Sequence, residues 1–217
     1  MIVIGGMIGL GKTSVAEILG EHFGTSVCYE SVEDNKILPL FYTATEEEIQ
    51  AKRYPFLLQL WFLDTRFKAI KQALVDQNNV LDRSIYEDWY FAKRNLELGR
   101  ISPLEMEVYE NLLHNMLEEL DELPKKSPDL MVYLKGSFET VLERIGKRGR
   151  DFEIDDSLEE YYRFLWEGYD DWVNNHYEAS QVLVIDMDNM DVVNNEEDRD
   201  ALVKAVEERL QEIRKDA

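Results

Sequence analysis

The chain has 217 residues and a formal charge of −21, with 24 Lys and Arg set against 45 Asp and Glu. That length suits one large domain able to fold without staples, and a single cysteine, Cys28, excludes an internal disulfide. So acidic a balance argues against nucleic acid as a partner, because a polyanion needs a basic footprint, and the apolar start meets glycines and Lys12 too soon to form a signal peptide or a membrane span, so a reducing cytoplasm is expected.

Short apolar runs at residues 1–4, 26–30, 79–82, 130–134 and 182–185 alternate with helical stretches, which predicts an α/β fold of βαβ units around a buried five-stranded parallel sheet. After the first run comes Gly6-Met7-Ile8-Gly9-Leu10-Gly11-Lys12-Thr13, with Ser14 beyond it, opening a helix predicted over 13–23. This is the phosphate-loop spacing GxxxxGK[ST] in the strand-to-helix context it requires. The glycines let backbone amides turn toward a β-phosphate, and the helix N-terminus adds partial positive charge. Lys12 reaches the β- and γ-oxygens, and the Thr13 hydroxyl ligates Mg²⁺. The loop alone leaves a kinase, a GTP-dependent switch and an ATP-driven machine open.

Cys28 falls within the second strand and reads as a small hydrophobe. That strand closes on Glu30, and the third closes on Asp82-Arg83-Ser84; such strand ends face the ligand crevice of an open α/β sheet, although a helix cap or a surface charge is the plainer reading of Glu30. Helix starts are marked by Thr45 with Glu48, by Ser84 with Glu87, and by Ser102 with Pro103 and Glu105. The aromatic set Trp61, Phe62, Phe67, Trp89, Tyr90 and Phe91 is assigned to the core, with room for one or two members beside a base. Residues 104–123 form an amphipathic helix through Leu112, Leu113, Met116, Leu117 and Leu120, its apolar face serving the core or a subunit interface, and residues 124–128 read as a helix-to-strand turn. A basic run of Arg144, Lys147, Arg148 and Arg150 in an acidic chain marks an anionic ligand or a solvated helix end. His22, His114 and His176 have no partner at metal-ligand spacing, so zinc is not expected. With no repeat and no linker, residues 1–217 are expected to form one domain.

Taken in order, these motifs resemble the deoxynucleoside kinase family from residue 1 to about 188. They are the glycine-rich loop, Glu30, Leu38-Pro39-Leu40-Phe41-Tyr42, Phe56-Leu57-Leu58-Gln59, Arg66, Asp82-Arg83-Ser84, Asp88, and Arg144-Ile145-Gly146-Lys147-Arg148-Gly149-Arg150 with Glu153. The pattern is most similar to the bacterial deoxyadenosine and deoxyguanosine kinases. The resemblance implies a P-loop kinase fold with an arginine-rich lid at about 144–154, and transfer of the γ-phosphate of ATP, with Mg²⁺, to the 5′-hydroxyl of a purine deoxynucleoside in nucleotide salvage. It implies that Glu30 is the general base, with Arg83 neutralising charge beside it and Lys12 on the phosphates. ATP would be held by residues 6–14 with Arg144, Arg148 and Arg150, and Mg²⁺ by Thr13 and Asp82. Gln59 would read the base edge, backed by Arg66 and Asp88, while Tyr42 and Glu153 would fix the sugar 3′-hydroxyl. A homodimer, or a heterodimer with a related subunit, is implied as well.

The chain departs from many relatives at Asp82, where they carry Glu, at Ser31, where they carry Pro, and at Asn35, where a tryptophan lies near the base; its segment 43–54 is also longer than in the animal enzymes. A nucleoside monophosphate kinase of the thymidylate type is the alternative, disfavoured because Glu30 and Tyr42 occupy the place where an acceptor phosphate needs cations. A GTP-dependent switch would need an Asn-Lys-x-Asp motif after a later strand, and Asn35-Lys36 comes too early.

Overall fold

Strand β1 (Ile2–Gly6) is buried along its whole length, and its side chains separate with period two. Ile2 and Ile4 enter one apolar cluster, whereas Val3 enters another with Leu63, Phe67 and Leu81. A strand covered on both faces belongs to a parallel sheet with helices on either side. The computed structural model has this architecture; it describes residues 1–30, 32, 34–119 and 128–215 in full and 120–121 by backbone.

Five strands, β1, β2 (Val27–Cys28), β3 (Val80–Asp82), β4 (Leu130–Lys135) and β5 (Gln181–Asp186), pair in parallel in the order β2-β3-β1-β4-β5. One face is covered by α1 (Lys12–Phe23), α7 (Phe138–Arg148), α8 (Glu159–Asn175) and α9 (Glu196–Lys215), which contribute Leu19, Val141, Leu165 and Leu202 to the core. The other is covered by α4 (Tyr54–Ala73), α5 (Ile85–Glu97) and α6 (Pro103–Asp121), through Ile70, Ile85 and Tyr109. Two short helices, α2 (Leu38–Thr43) and α3 (Glu46–Lys52), fill the connection from β2 to α4. The chain order reverses across β1, so the crevice opens outside the carboxyl ends of β1 and β3, where the phosphate loop starts.

All three capping boxes form. Thr45, Ser84 and Ser102 accept from the amides of Glu48, Glu87 and Glu105 at 3.3, 3.1 and 3.3 Å, and each glutamate accepts in return from the cap amide at 3.0, 3.0 and 2.8 Å. Strand β2 is shorter than the expected 26–30. It is an edge strand with one neighbour, and the backbone leaves the ladder after Cys28 as Glu30 turns into the crevice. Cys28 is half-buried for the same reason. Helix α1 starts one residue earlier than expected, and β1 runs on to Gly6 because that glycine still pairs with Leu134. Residues 122–127, which hold most of the turn expected at 124–128, lie outside the described residues, as does Ser31. Each histidine faces a carboxylate at a helix surface: His22 with Glu207 at 2.9 Å, His114 with Glu118 at 3.1 Å and His176 with Asp171 at 3.6 Å. Among the described residues no helix is long and apolar enough to cross a membrane.

Candidate active site

The carboxyl ends of β1, β2 and β3 open on a cleft of about 670 Å³. Its floor is the loop from β1 to α1. Ile8, Gly9, Gly11, Lys12, Thr13 and Ser14 line it, while Met7 and Leu10 turn inward as buried anchors. Two positions require glycine: at φ +147 a Cβ on Gly6 would stand 2.7 Å from the Leu134 carbonyl oxygen, and at φ +88 one on Gly9 would stand 2.9 Å from Ile145 Cγ1. Helix α1 begins without a side-chain cap, which leaves its first amides for an anion. Lys12 Nζ donates to the carbonyl oxygens of Gly6 and Met7, at 2.8 Å each. Burial, and then Arg83 nearby, push the Lys12 pKa down to about 7 against the pull of Glu87, Asp82 and Glu30.

Thr13 Oγ1 donates to Asp82 Oδ2 at 2.6 Å, while Asp82 Oδ1 is buried with no hydrogen-bond partner. Burial and the neighbouring Glu30 raise the Asp82 carboxyl above its usual range. A hydroxyl and a carboxylate side by side, one oxygen still open, are hard donors that fit Mg²⁺, which takes few protein ligands and keeps several waters. Among the described residues no group of three or more His, Cys, Asp or Glu has metal-site geometry, so triphosphate and water oxygens would have to complete the shell.

Glu30 sits at the centre. Its Oε1 lies 2.9 Å from Arg83 Nε, an ion pair without hydrogen-bond alignment, and 3.2 Å from Arg66 Nη2. Burial alone would raise the Glu30 carboxyl, but Arg83, Arg66 and Lys12 outweigh it and hold the pKa at about 2. Arg66, from α4, also donates to the Asp82 carbonyl oxygen at 2.6 Å and to Asp88 Oδ2 at 3.1 Å, so Arg66 and Asp88 are brought together as expected. Two helical turns earlier on α4, Gln59 is buried and lines the cleft with its Oε1 unpartnered. Buried amides are rarely left open, so this acceptor is free for a polar group that enters the cleft. Of the aromatic set, Phe62 and Phe91 line the same wall, whereas Phe67 and Tyr90 are core.

At the far end Tyr42 and Glu153 both line the cleft. The Tyr42 ring stacks on Phe152 with centroids 5.9 Å apart. Buried Glu153 accepts from Arg148 and, at 3.2 Å, from Arg150, so the two arginines of the basic run that line the cleft bend toward its Tyr42 end. Arg144 departs from the expected cover over the triphosphate. It does not line the cleft; its guanidinium donates to the carbonyl oxygens of Leu10, Met187 and Met190 at 3.3, 2.8 and 3.2 Å. Helix α7 packs so close to the loop, as the Gly9 contact shows, that this side chain meets backbone carbonyls before it meets the cleft.

The sequence hides the part Glu87 plays behind the site. Glu87 reads there only as the capping partner of Ser84, yet its carboxylate also accepts from Arg83 Nη1 at 3.1 Å and from the Gly6 amide at 3.2 Å. Asp34, Tyr29 and Glu17 also line the cleft, with no local signal that could have singled them out.

A profile of the deoxynucleoside kinase family matches residues 2–211. The chain is 47% identical over 218 residues to a deoxyguanosine kinase of Lactobacillus johnsonii, covering 99% of this chain and 94% of that one. To a deoxyadenosine kinase of Lactobacillus acidophilus it is 43% identical over 216 residues, covering 98% and 97%. Among solved structures it is similar to deoxyadenosine kinase from M. mycoides with bound dATP, with a TM-score of 0.76, 27% identity, and coverage of 97% and 98% of the two chains.

The depressed Lys12 has a thermodynamic signature. With a pKa of about 7 it is mostly neutral at pH 8, and a triphosphate seated on it favours the charged form, so Mg²⁺-ATP binding at pH 8 is expected to take up about 0.9 proton and at pH 6 close to none. Calorimetric enthalpies in buffers of different ionisation heat measure this uptake; its absence at pH 8 would show that Lys12 is already charged in the free protein.

Proposed function

From the premise that this chain belongs to the deoxynucleoside kinase family, and so is a phosphotransferase acting on deoxynucleosides, we propose that it moves the γ-phosphate of ATP to the 5′-hydroxyl of a purine deoxynucleoside. The observation that carries this reading is the place of Glu30, paired with Arg83 and Arg66 where the phosphate loop meets the wall that holds Gln59. The carboxylate is ionised at every working pH, so it accepts a hydrogen bond from the 5′-hydroxyl, orients its lone pair toward the γ-phosphorus, and receives the proton as transfer proceeds. A carboxyl held at about 2 is a weak base, and its main work is orientation, consistent with phosphoryl transfer in which positioning and electrostatics supply most of the acceleration. Arg83 and Lys12, which both line the cleft, neutralise charge gathering on the transferred group. Mg²⁺, when bound at Thr13 and Asp82, supplies charge neutralisation at the β- and γ-oxygens. Arg148 and Arg150 exchange Glu153 for phosphate, which frees Glu153 and Tyr42 for the sugar 3′-hydroxyl.

For the base, Gln59 offers a donor and an acceptor side by side, suited to a purine edge, with Arg66 and Asp88 behind it. A deoxyguanosine kinase and a deoxyadenosine kinase among the relatives support a purine without dividing the two bases. A cytoplasmic role in nucleotide salvage is part of the reading. So is a dimer, homomeric or with a related subunit: Leu104, Val108 and Leu112 form a stripe at i, i+4 and i+8 on α6, exposed by 70, 44 and 39%, with Leu57 at 41% on α4.

Incubation with Mg²⁺-ATP and each of deoxyadenosine, deoxyguanosine, deoxycytidine, thymidine and thymidine monophosphate is expected to give a purine deoxynucleoside 5′-monophosphate as the main product by chromatography. Glu30→Gln should lower that turnover at least ~100-fold while nucleoside binding holds within ~3-fold, since the amide keeps the shape but loses both the charge that orients the hydroxyl and the site that takes its proton. Turnover of thymidine monophosphate alone, or lost binding with chemistry intact, would overturn the assignment. For assembly, light scattering should give twice the monomer mass for the native protein and the monomer mass for Leu104→Glu with Val108→Glu; a monomeric native protein would refute the dimer.

A further inference from the structure

Behind the reacting centre lies a buried cluster that the phosphoryl-transfer chemistry does not touch. Glu87, on the first turn of α5, has no solvent exposure at all. Its Oε2 accepts from the Ser84 amide at 3.0 Å, which is ordinary capping. Its Oε1 serves three other donors: Arg83 Nη1 at 3.1 Å, the Gly6 amide at 3.2 Å, and the hydroxyl of Tyr169 from α8. The Gly6 amide also lies 2.9 Å from the Tyr169 oxygen. A capping glutamate needs none of these, and a buried carboxylate left without them would be costly.

The cluster acts on one side chain above all. Arg83 has φ +77, a left-handed backbone that a non-glycine residue adopts only when its surroundings impose it. Its amide is tied to the Ile4 carbonyl at 2.9 Å, its guanidinium lies 4.7 Å from the Phe91 ring centre, and its two ends are bracketed by Glu30 and Glu87. Without Glu87, Glu30 would be the one acidic side chain in ion-pair contact with the guanidinium among the described residues, leaving it free to swing about Nε. With Glu87 in place, the free edge of the fork stays aimed into the cleft, at a spacing from the phosphate loop set through Gly6.

We propose that Glu87 and Tyr169 are a positioning pair for the reaction: a buried clasp that fixes the direction of Arg83 and couples it to the first residue of the phosphate loop. Neither touches substrate. Both act through Arg83, and Tyr169 keeps Glu87 Oε1 in line by donating to it. The inference rests on the phosphotransferase reading and extends it to residues outside the cleft.

A double-mutant cycle tests this, with any deoxynucleoside the native protein phosphorylates as acceptor. Glu87→Gln keeps size and capping and removes the charge that holds Arg83; it should lower kcat by ~10- to 100-fold while nucleoside KM moves by less than ~3-fold. In the Arg83→Lys background, whose ammonium cannot form the bracketed fork, the same change should cost less than ~3-fold, because Glu87 has nothing left to aim. Tyr169→Phe, which leaves the ring packing intact, should show the same pattern with a kcat loss of ~3- to 10-fold, and it carries the test if Glu87→Gln does not fold. Equal losses in both backgrounds, or a loss wholly in KM or thermal stability, would reduce the clasp to ordinary structural support and overturn the proposal. The native rate with each nucleoside reports separately on the substrate reading, since the cycle uses only ratios between variants.

Discussion

The structure is organised around a buried ion network at the carboxyl ends of β2 and β3. Glu30, Glu87 and Asp88 supply carboxylates, and Arg66 and Arg83 thread between them at 2.9 to 3.2 Å. Burying so many charges is tolerable only if each has its partner, and removing one partner of a buried pair typically costs about 3–5 kcal/mol because the other is stranded. The network is therefore expensive as a stabilising device and effective as an orienting one. It holds Glu30 ionised and pointed, and it leaves little freedom to either arginine.

The rest of the fold serves this network. The parallel sheet brings the strand ends into one row, so that Glu30 after β2, Asp82 and Arg83 after β3, and the phosphate loop after β1 meet without any of them being neighbours in sequence. Helix α4 supplies Arg66 and Gln59 from one face, placing the open Gln59 amide and the charge network on a single element. On the other flank, α7 presses against Gly9 and Arg144 ties the loop carbonyl of Leu10 to the turn after β5. The phosphate loop and the wall facing it are thus fixed to the same scaffold, while Arg148 and Arg150 are held on Glu153 at the far end of the cleft.

What could be read from the sequence was what is written locally. The phosphate loop, the three capping boxes and the alternation of strands with helices each depend on residues within a few positions of one another, and all appear as expected. The pairing of Arg66 with Asp88 and the inward-facing Gln59 followed from family resemblance, since nothing in composition or periodicity marks them. The exit of the chain from β2 after Cys28 could not be seen, because Val27 and Tyr29 look alike to a strand pattern, whereas the ladder to β3 ends at Cys28. The wider contacts of Glu87 and Arg144 were not legible for one reason. Their partners, Gly6 and Leu10, lie 81 and 134 residues away, and a local motif accounted for each residue before its distant contact was known.

The central claim is that Arg83 and Arg66 keep Glu30 ionised and oriented through the chemical step. Its most direct test is the single-turnover rate of phosphoryl transfer with both substrates saturating, followed from pH 5 to 7.5. A Glu30 carboxyl at about 2 gives a rate flat across that range on the acid side. A one-proton fall with an apparent pKa above about 5 would mean that Glu30 is not held by its arginines when substrate is bound, and the account of the site would fail at its centre.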